Sequence, residues 1–337
     1  MPLTVPTDRD VDVSCMGNAL VDVLTHAADA FLDEHGLVKG SMLLVDGERS
    51  RAIYEAMGPG TEVSGGCAAN TSVGLVSFGA SAAFIGKVRD DQLGHIYAHD
   101  LRAAGVGFDV APAPAADPDA TGRCLILVTP DGERTMNTFL GIAGRVAPAD
   151  VDFGLIERSA LVYVEGYLWD RPSTKQAILA VTDAAHAAGT QVAFTMSDGF
   201  CVERHHDDFV ALAAERIDVL FANEAEICSL YGVDDFDLAV EAAMSRRGVS
   251  FLTRGAKGSV VVGDGEAHEV PVEPATRVDA TGAGDLFAAG ALYGLTRGAD
   301  LPTCGRLGSL AAAEVISHMG ARPLVSLGAL ARAAGIA

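Results

Sequence analysis

Basic residues are scarce in this 337-residue sequence: 24 Lys and Arg stand against 45 Asp and Glu, a formal net charge of −21. A surface of that sign repels phosphate backbones and anionic lipids, which argues against nucleic acid or a membrane as partner. A small anionic substrate stays compatible, because a local site can oppose the overall charge. Cysteine spacing excludes other functions. Cys15, Cys67, Cys124, Cys201, Cys228 and Cys304 are scattered and form no CxxC pair, so neither a zinc ribbon nor a thioredoxin-type centre is expected. They read as reduced, mostly buried thiols of a cytoplasmic protein. Met1–Asp10 lacks the basic start and apolar stretch of a signal peptide. No run approaches the roughly 18 apolar residues of a membrane span. The P-loop pattern G-x₄-GK[ST] is missing, and no GxGxxG follows the first apolar strand. Walker-type NTPases and dinucleotide dehydrogenases are therefore disfavoured. No internal repeat or low-complexity linker is present.

What is present suits a buried core: 49% of residues are hydrophobic and 20% charged. Val11–Met16, Met42–Val45 and Ala82–Ile85 read as strands, and Ala28–His35, Ala68–Phe78 and Gln92–Ala104 as helices. Asp46–Gly47–Glu48 reads as a polar turn, and Ala111–Pro118 as a surface connection. Arg123–Val128 and Glu133–Phe139 flank Pro130–Asp131–Gly132, a hairpin signal in which Pro fixes φ and Gly accepts positive φ. From Leu161 onward, strands at Leu161–Glu165, Gln191–Thr195, Val219–Ala222, Ser250–Thr253 and Ser259–Val262 alternate with helices such as Thr174–Ala188 and Phe209–Ile217. The chain closes with helices over Gly284–Leu295 and Cys304–His318. This pattern predicts one α/β domain, a mainly parallel sheet covered on both faces, with a small β element built from early insertions.

Five segments carry chemistry. In Asp279–Gly290, DATGAGDLFAAG, a strand-like Val270–Val272 precedes and an apolar helix follows. Gly282, Ala283 and Gly284 leave room for a phosphate against backbone N–H groups at a helix start. Asp285, in the first turn, can take a proton from a hydroxyl held against the same pocket; the bland alternative is a capping carboxylate. GGCAAN, Gly65–Asn70, opens another helix, and GNALVD, Gly17–Asp22, follows the first strand. Asp22 suits neighbouring sugar hydroxyls, although each of these two segments alone resembles a surface turn. NEAE, Asn223–Glu226, and TRGAKG, Thr253–Gly258, follow strands at the ends where open α/β sheets bind ligands. Glu226 suits a hydrated Mg²⁺, or simply a helix start. His95 with His99 lacks the HExxH glutamate, and His205–Asp208 reads as a polar loop or helix start.

In this order and spacing the segments resemble the PfkB/ribokinase family of ATP-dependent sugar and nucleoside kinases. DATGAGDLF is similar to its C-terminal signature, GGCAAN with Phe84–Gly94 (FIGKVRDDQLG) to its N-terminal one, NEAE to its NxxE element and TRGAKG to its TxGxxG turn. GNALVD, Phe31–Asp46, Phe194–Phe200 and Asp218–Glu226 resemble the adenosine kinase branch. The resemblance spans about Val11 to Ser326 and implies a ribokinase-like three-layer α/β/α sandwich, a single domain over 1–337 with a β-sheet lid from about 37–62 and 120–142.

It also implies roles. Asp285 would be the catalytic base, and Gly282, Ala283 and Gly284 the anion hole. Asn18, Asp22, Gly65, Gly66 and Asn70 would hold the ribose, Leu20, Tyr167 and Phe200 the base, and Arg134 would cover the phosphates. Asn223, Thr253, Gly255 and Gly258 would line the ATP site, and Glu226 would order Mg²⁺ through water. Asp279 and Thr281 resemble positions near a monovalent-cation site, with K⁺ as the candidate ion. One departure is Ala280, where many relatives carry Thr or Asn. The expected reaction is phosphoryl transfer from ATP to the 5′-hydroxyl of adenosine. A ribokinase- or fructokinase-like sugar kinase is the alternative, and a non-catalytic nucleoside sensor the reading of another class. Monomers and homodimers both occur among such relatives.

Overall fold

The computed structural model describes residues 3–336. Thirteen strands form two sheets: β1 (Val11–Met16), β2 (Leu20–His26), β3 (Met42–Leu44), β4 (Thr61–Gly65), β5 (Ala82–Ile85), β6 (Gly122–Val128), β7 (Arg134–Phe139), β8 (Ser159–Glu165), β9 (Gln191–Thr195), β10 (Val219–Asn223), β11 (Val249–Thr253), β12 (Ser259–Gly263) and β13 (Glu266–Val270). The main sheet runs β13-β12-β11-β10-β9-β8-β1-β5. It is parallel from β5 to β11 and antiparallel at β12 and β13. Every residue of β8 is buried, as expected for a central parallel strand covered on both faces. Alternation divides its side chains: Leu161 and Tyr163 join one core and Val162 and Val164 the other.

Small residues set the helix packing on one face. A Cβ at Gly74 would lie 2.6 Å from Leu286 Cδ1 and 2.7 Å from Ala289 Cβ, so the helix Cys67–Phe78 lies tight against the helix Ala283–Thr296. A Cβ at Gly290 would meet the Leu307 carbonyl at 2.3 Å, which brings in the helix Leu301–Val315 equally closely. The first contact sets two helix N-termini side by side above the sheet, one from each signature segment.

The second sheet, β3-β7-β6-β2-β4, forms the lid. Its β6–β7 hairpin turns at Gly132, with φ at 83°, and Asp131 Oδ1 accepts from Thr129 Oγ1 and the Glu133 N–H. Leu20–His26, which carries no turn residue and alternates only loosely, is the strand joining this sheet to the core. Gly17–Asp22, which taken alone resembles a surface turn, runs into β2 at Leu20, and β2 pairs with both β4 and β6. Asp46–Glu48 is likewise more than a polar turn: Asp46 accepts from the Arg49 N–H and caps the helix Gly47–Ala56. The strand expected at Val270–Val272 ends at Val270, where Pro271 removes the next donor. Among the described residues no helix is long and apolar enough to cross a membrane.

Candidate active site

The parallel strands end on one edge, and the functional segments follow them there. After β1, Gly17 passes so close to Glu165 that a Cβ would stand 2.3 Å from Oε2. Asn18 is 2% exposed and donates through Nδ2 to Glu165 Oε1 at 2.9 Å. That bond leaves Asn18 Oδ1 as the free end of the amide. Gly65 ends β4 opposite Leu20. A Cβ there would be 2.2 Å from Asp22 Oδ2, so the carboxylate of Asp22 lies directly on the glycine. Gly66 has φ at 96° and rests on the Asn18 carbonyl. The expected ribose residues are thus drawn together from β1, β2 and β4.

The two signature helices meet at their first turns. Asn70 Nδ2 donates to Asp285 Oδ2 at 3.0 Å, and Thr71 Oγ1 donates to the Asp285 carbonyl at 3.1 Å. Gly282, at φ 79°, precedes the helix; a Cβ on it would strike Ala321 at 2.8 Å. Gly284 faces open space. The Ala283 N–H reaches the Ala280 carbonyl at 3.3 Å, while the Gly284 and Asp285 N–H groups have no backbone acceptor among the described residues, an arrangement that suits an anion at this helix start. Burial raises Asp285 to about 6, against hydrogen bonds from Asn70 and the Cys67 thiol that lower it. A base near neutrality is the useful kind at physiological pH. Asp22 is raised to about 7 by burial, with Arg322 and Arg134 opposing. Glu165 is raised to about 7 by burial, against the Asn18 and Ala68 bonds.

On the other side, Asn223 and Thr253 stand side by side in register at the ends of β10 and β11. Gly255 and Gly258 take positive φ, and a Cβ on Gly258 would meet the Val270 carbonyl at 2.3 Å. Asn223 and Glu226 form a capping box: Asn223 Oδ1 accepts from the Glu226 N–H, and Glu226 accepts from the Asn223 backbone and Nδ2. The capping reading of Glu226 is therefore true, and it does not use up the carboxylate. Burial raises Glu226 to about 7, opposed by the Asn223 N–H and reinforced by Asp198. The basic residues of this corner, Arg254 and Lys257, pair with Glu224 and not with Glu226, and each Glu226 oxygen keeps a lone pair, which fits a Mg²⁺ ion held through water and ATP phosphates.

Asp279 does not fit an added monovalent cation. Its Oδ1 accepts from the Thr281 N–H (3.0 Å) and Oγ1 (2.8 Å), and its Oδ2 from the Gly320 N–H (2.9 Å). Arg134 Nη2 closes the set at 2.5 Å from Oδ2, and Arg134 Nη1 donates to Thr281 Oγ1 at 2.5 Å. The lid arginine itself neutralises the carboxylate expected to take K⁺.

The expected base contacts are less well gathered. Leu20 packs on Gly122, and Tyr167 donates to Asp198 Oδ2 at 2.9 Å. Asp198 caps the short helix Gly199–Arg204, but Phe200 on that helix is 76% exposed. Three residues close to these side chains escape the sequence reading. Glu165 ends a parallel strand, a signal that was available. Cys67 stands inside GGCAAN. Arg322 gives no local signal.

Comparison with known proteins bears on the family and the fold. Residues 56–326 match the model of the pfkB family of carbohydrate kinases. The structure of an adenosine kinase from Sinorhizobium meliloti superposes with a TM-score of 0.89 at 45% identity, covering 96% of this chain and 99% of that one. A protein of Rhizobium etli CFN 42 described as a probable sugar kinase gives 0.91 at 42% identity, over 98% and 100%. A curated adenosine kinase of Saccharomyces cerevisiae is 28% identical over 90% of this chain and 94% of its own. The ribokinase-like fold and its lid are those of the S. meliloti enzyme. With the family match extending over most of its length and both signature helices converging on Asp285, the chain belongs to the pfkB family of carbohydrate kinases.

Proposed function

We propose that this kinase transfers the γ-phosphoryl group of ATP to the 5′-hydroxyl of adenosine, a purine-salvage reaction of the cytoplasm. The observation that carries it is the Asn70–Asp285 bond, which sets a carboxylate at the anion pocket against the segment that faces the acceptor. Asp285 takes the hydroxyl proton, the freed oxygen bonds to phosphorus, and the bond from phosphorus to the departing ADP oxygen breaks. The N–H groups of Gly282–Gly284 stabilise the charge that develops on the transferred group. Asp22, with Asn18 Oδ1, anchors the ribose hydroxyls. Thr253, Gly255 and Gly258 line the ATP site beside Asn223. Glu226 would hold Mg²⁺ through water, and the ion when bound neutralises charge on the phosphates. The whole chain acts as one domain, whose lid comprises segments 37–62 and 120–142 together with β2.

Adenosine as acceptor is supported by the names of two of the relatives above and by Leu20 and Tyr167 near the ribose anchor. The exposure of Phe200 favours the second reading, a sugar acceptor, because it leaves one wall of a base pocket unbuilt. Measuring kcat/KM with ADP release for adenosine, ribose and fructose at fixed ATP decides between them. Adenosine is expected to lead by at least about tenfold, roughly one aromatic contact's worth; a sugar in first place overturns adenosine.

A further inference from the structure

The loop after the helix Leu301–Val315 carries Arg322, a residue outside both signatures. Neither its Nε nor its Nη2 has a hydrogen-bond partner among the described residues, although both atoms are buried. Buried donors of a charged group are costly to leave unmade, and an unmade set in a native fold calls for an explanation. The neighbouring residue, Ala321, packs on Gly282 at the edge of the anion pocket. The groups whose charge bears on Arg322 are Tyr97, Asp100 and Asp22. Tyr97 Oη and Ser64 Oγ are also buried without partners. Ser64 pairs with Val21 in the β2–β4 ladder, one residue from Asp22. Unused polar atoms therefore collect on the acceptor side of the site.

We propose that Arg322 is an acceptor-binding residue, donating its free N–H groups to substrate oxygens whose hydroxyl protons go to Asp22. A sugar or ribose hydroxyl is both donor and acceptor, so Asp22 and Arg322 together satisfy what either alone leaves open. The opposite assignment, to the transferred phosphoryl group, is disfavoured by electrostatics. Arg322 is the foremost cation acting on Asp22, and the other groups that bear on it, Tyr97 and Asp100, belong to the helix Gln92–Ala103, which packs on the acceptor strands β4 and β2, with Asp100 Oδ2 accepting from the Ser64 N–H. Arg134 already stands near the phosphate side through Asp279 and Thr281.

The inference rests on the reading of Asp22 as the hydroxyl anchor, and the test separates the two. Wild-type enzyme is assayed on adenosine, ribose and fructose, and R322M and R322K on whichever acceptor it uses. R322M is expected to raise the acceptor KM by about 10- to 100-fold, the range for a hydrogen bond to a charged group. The KM for ATP should stay within about twofold, and R322K should recover part of the loss. Thermal stability of ligand-free R322M should be unchanged or higher, since an unpaired buried charge is removed. A merely structural arginine would instead lower Tm and disturb both KM values together. An unchanged acceptor KM, or a shift confined to ATP, overturns the role of Arg322 alone. A wild-type enzyme that phosphorylates none of the three overturns the anchor reading itself.

Discussion

At Asp285 two influences meet. Burial favours the neutral acid, while donors from Asn70 and Cys67 favour the carboxylate, and the balance lies near 6. The acid limb of kcat should therefore fall near pH 6, with activity lost as pH drops through it. D285N should keep acceptor KM within about threefold and lose roughly 10²–10⁴ in kcat, the usual cost of a missing general base; near-normal turnover would remove Asp285 from the mechanism. Cys67 gives a finer check. C67A removes a donor that lowers the base, so the acid limb should move to higher pH, and C67S, which retains a donor, should restore it. Identical pH profiles for the three proteins would show that the thiol has no influence on the base.

The lid is an element held at one point by an ion pair between distant parts of the chain. Arg134 opens β7, and Asp279 belongs to the loop before the anion pocket; both are nearly buried. Breaking such a pair from one side leaves a buried charge, at a cost of about 3–5 kcal/mol. R134M should therefore lower Tm and speed hydrogen exchange in β6 and β7, with the core strand β8 unaffected by comparison. It should also expose Asp279 to solution cations. Wild-type rates in K⁺ and in tetramethylammonium should agree within about twofold, because Arg134 fills the site; R134M should favour K⁺. Strong K⁺ stimulation of the wild type would mean that Asp279 releases Arg134 during turnover. Strand β3 shows the same lid from outside: all three of its residues are exposed, as suits an edge that pairs with β7 alone.

Over the whole molecule, a few buried carboxylates set the pH dependence of stability. Asp22 and Glu165 lie near 7 and Asp285 near 6, above their ordinary values of 3.8, 4.5 and 3.8. Each is raised on folding, so its contribution is fully present below about pH 4 and declines as pH rises through 6 to 7. Asp91 and Asp117 are lowered by hydrogen bonds and nearby arginines that outweigh burial, and their contribution is lost only on the acid side. Ligand-free protein should therefore show a Tm maximum near pH 5 and a decline toward pH 8. Saturating acceptor should flatten the decline by engaging Asp22. A Tm that climbs steadily from pH 5 to 8 would show that these carboxylates ionise in the folded protein without penalty.

The sequence by itself determined the layered α/β class, the hairpin at Gly132, the order of the five segments and the identity of Asp285, because each is written in consecutive residues. A strand, a turn and a helix start follow from local periodicity and from where glycine permits close approach. It determined much less of β2 and the helix Gly47–Ala56, whose apolar residues gain their pattern only against β4, β6 and β7. Only the tertiary structure decided which side chains meet. Asn70 reaches Asp285 across 215 positions and Asn18 reaches Glu165 across 147. The occupation of Asp279 by Arg134 and the burial of Arg322 donors without partners have the same origin. Electrostatic balance and burial are sums over neighbours in space, and no local window of sequence contains those neighbours.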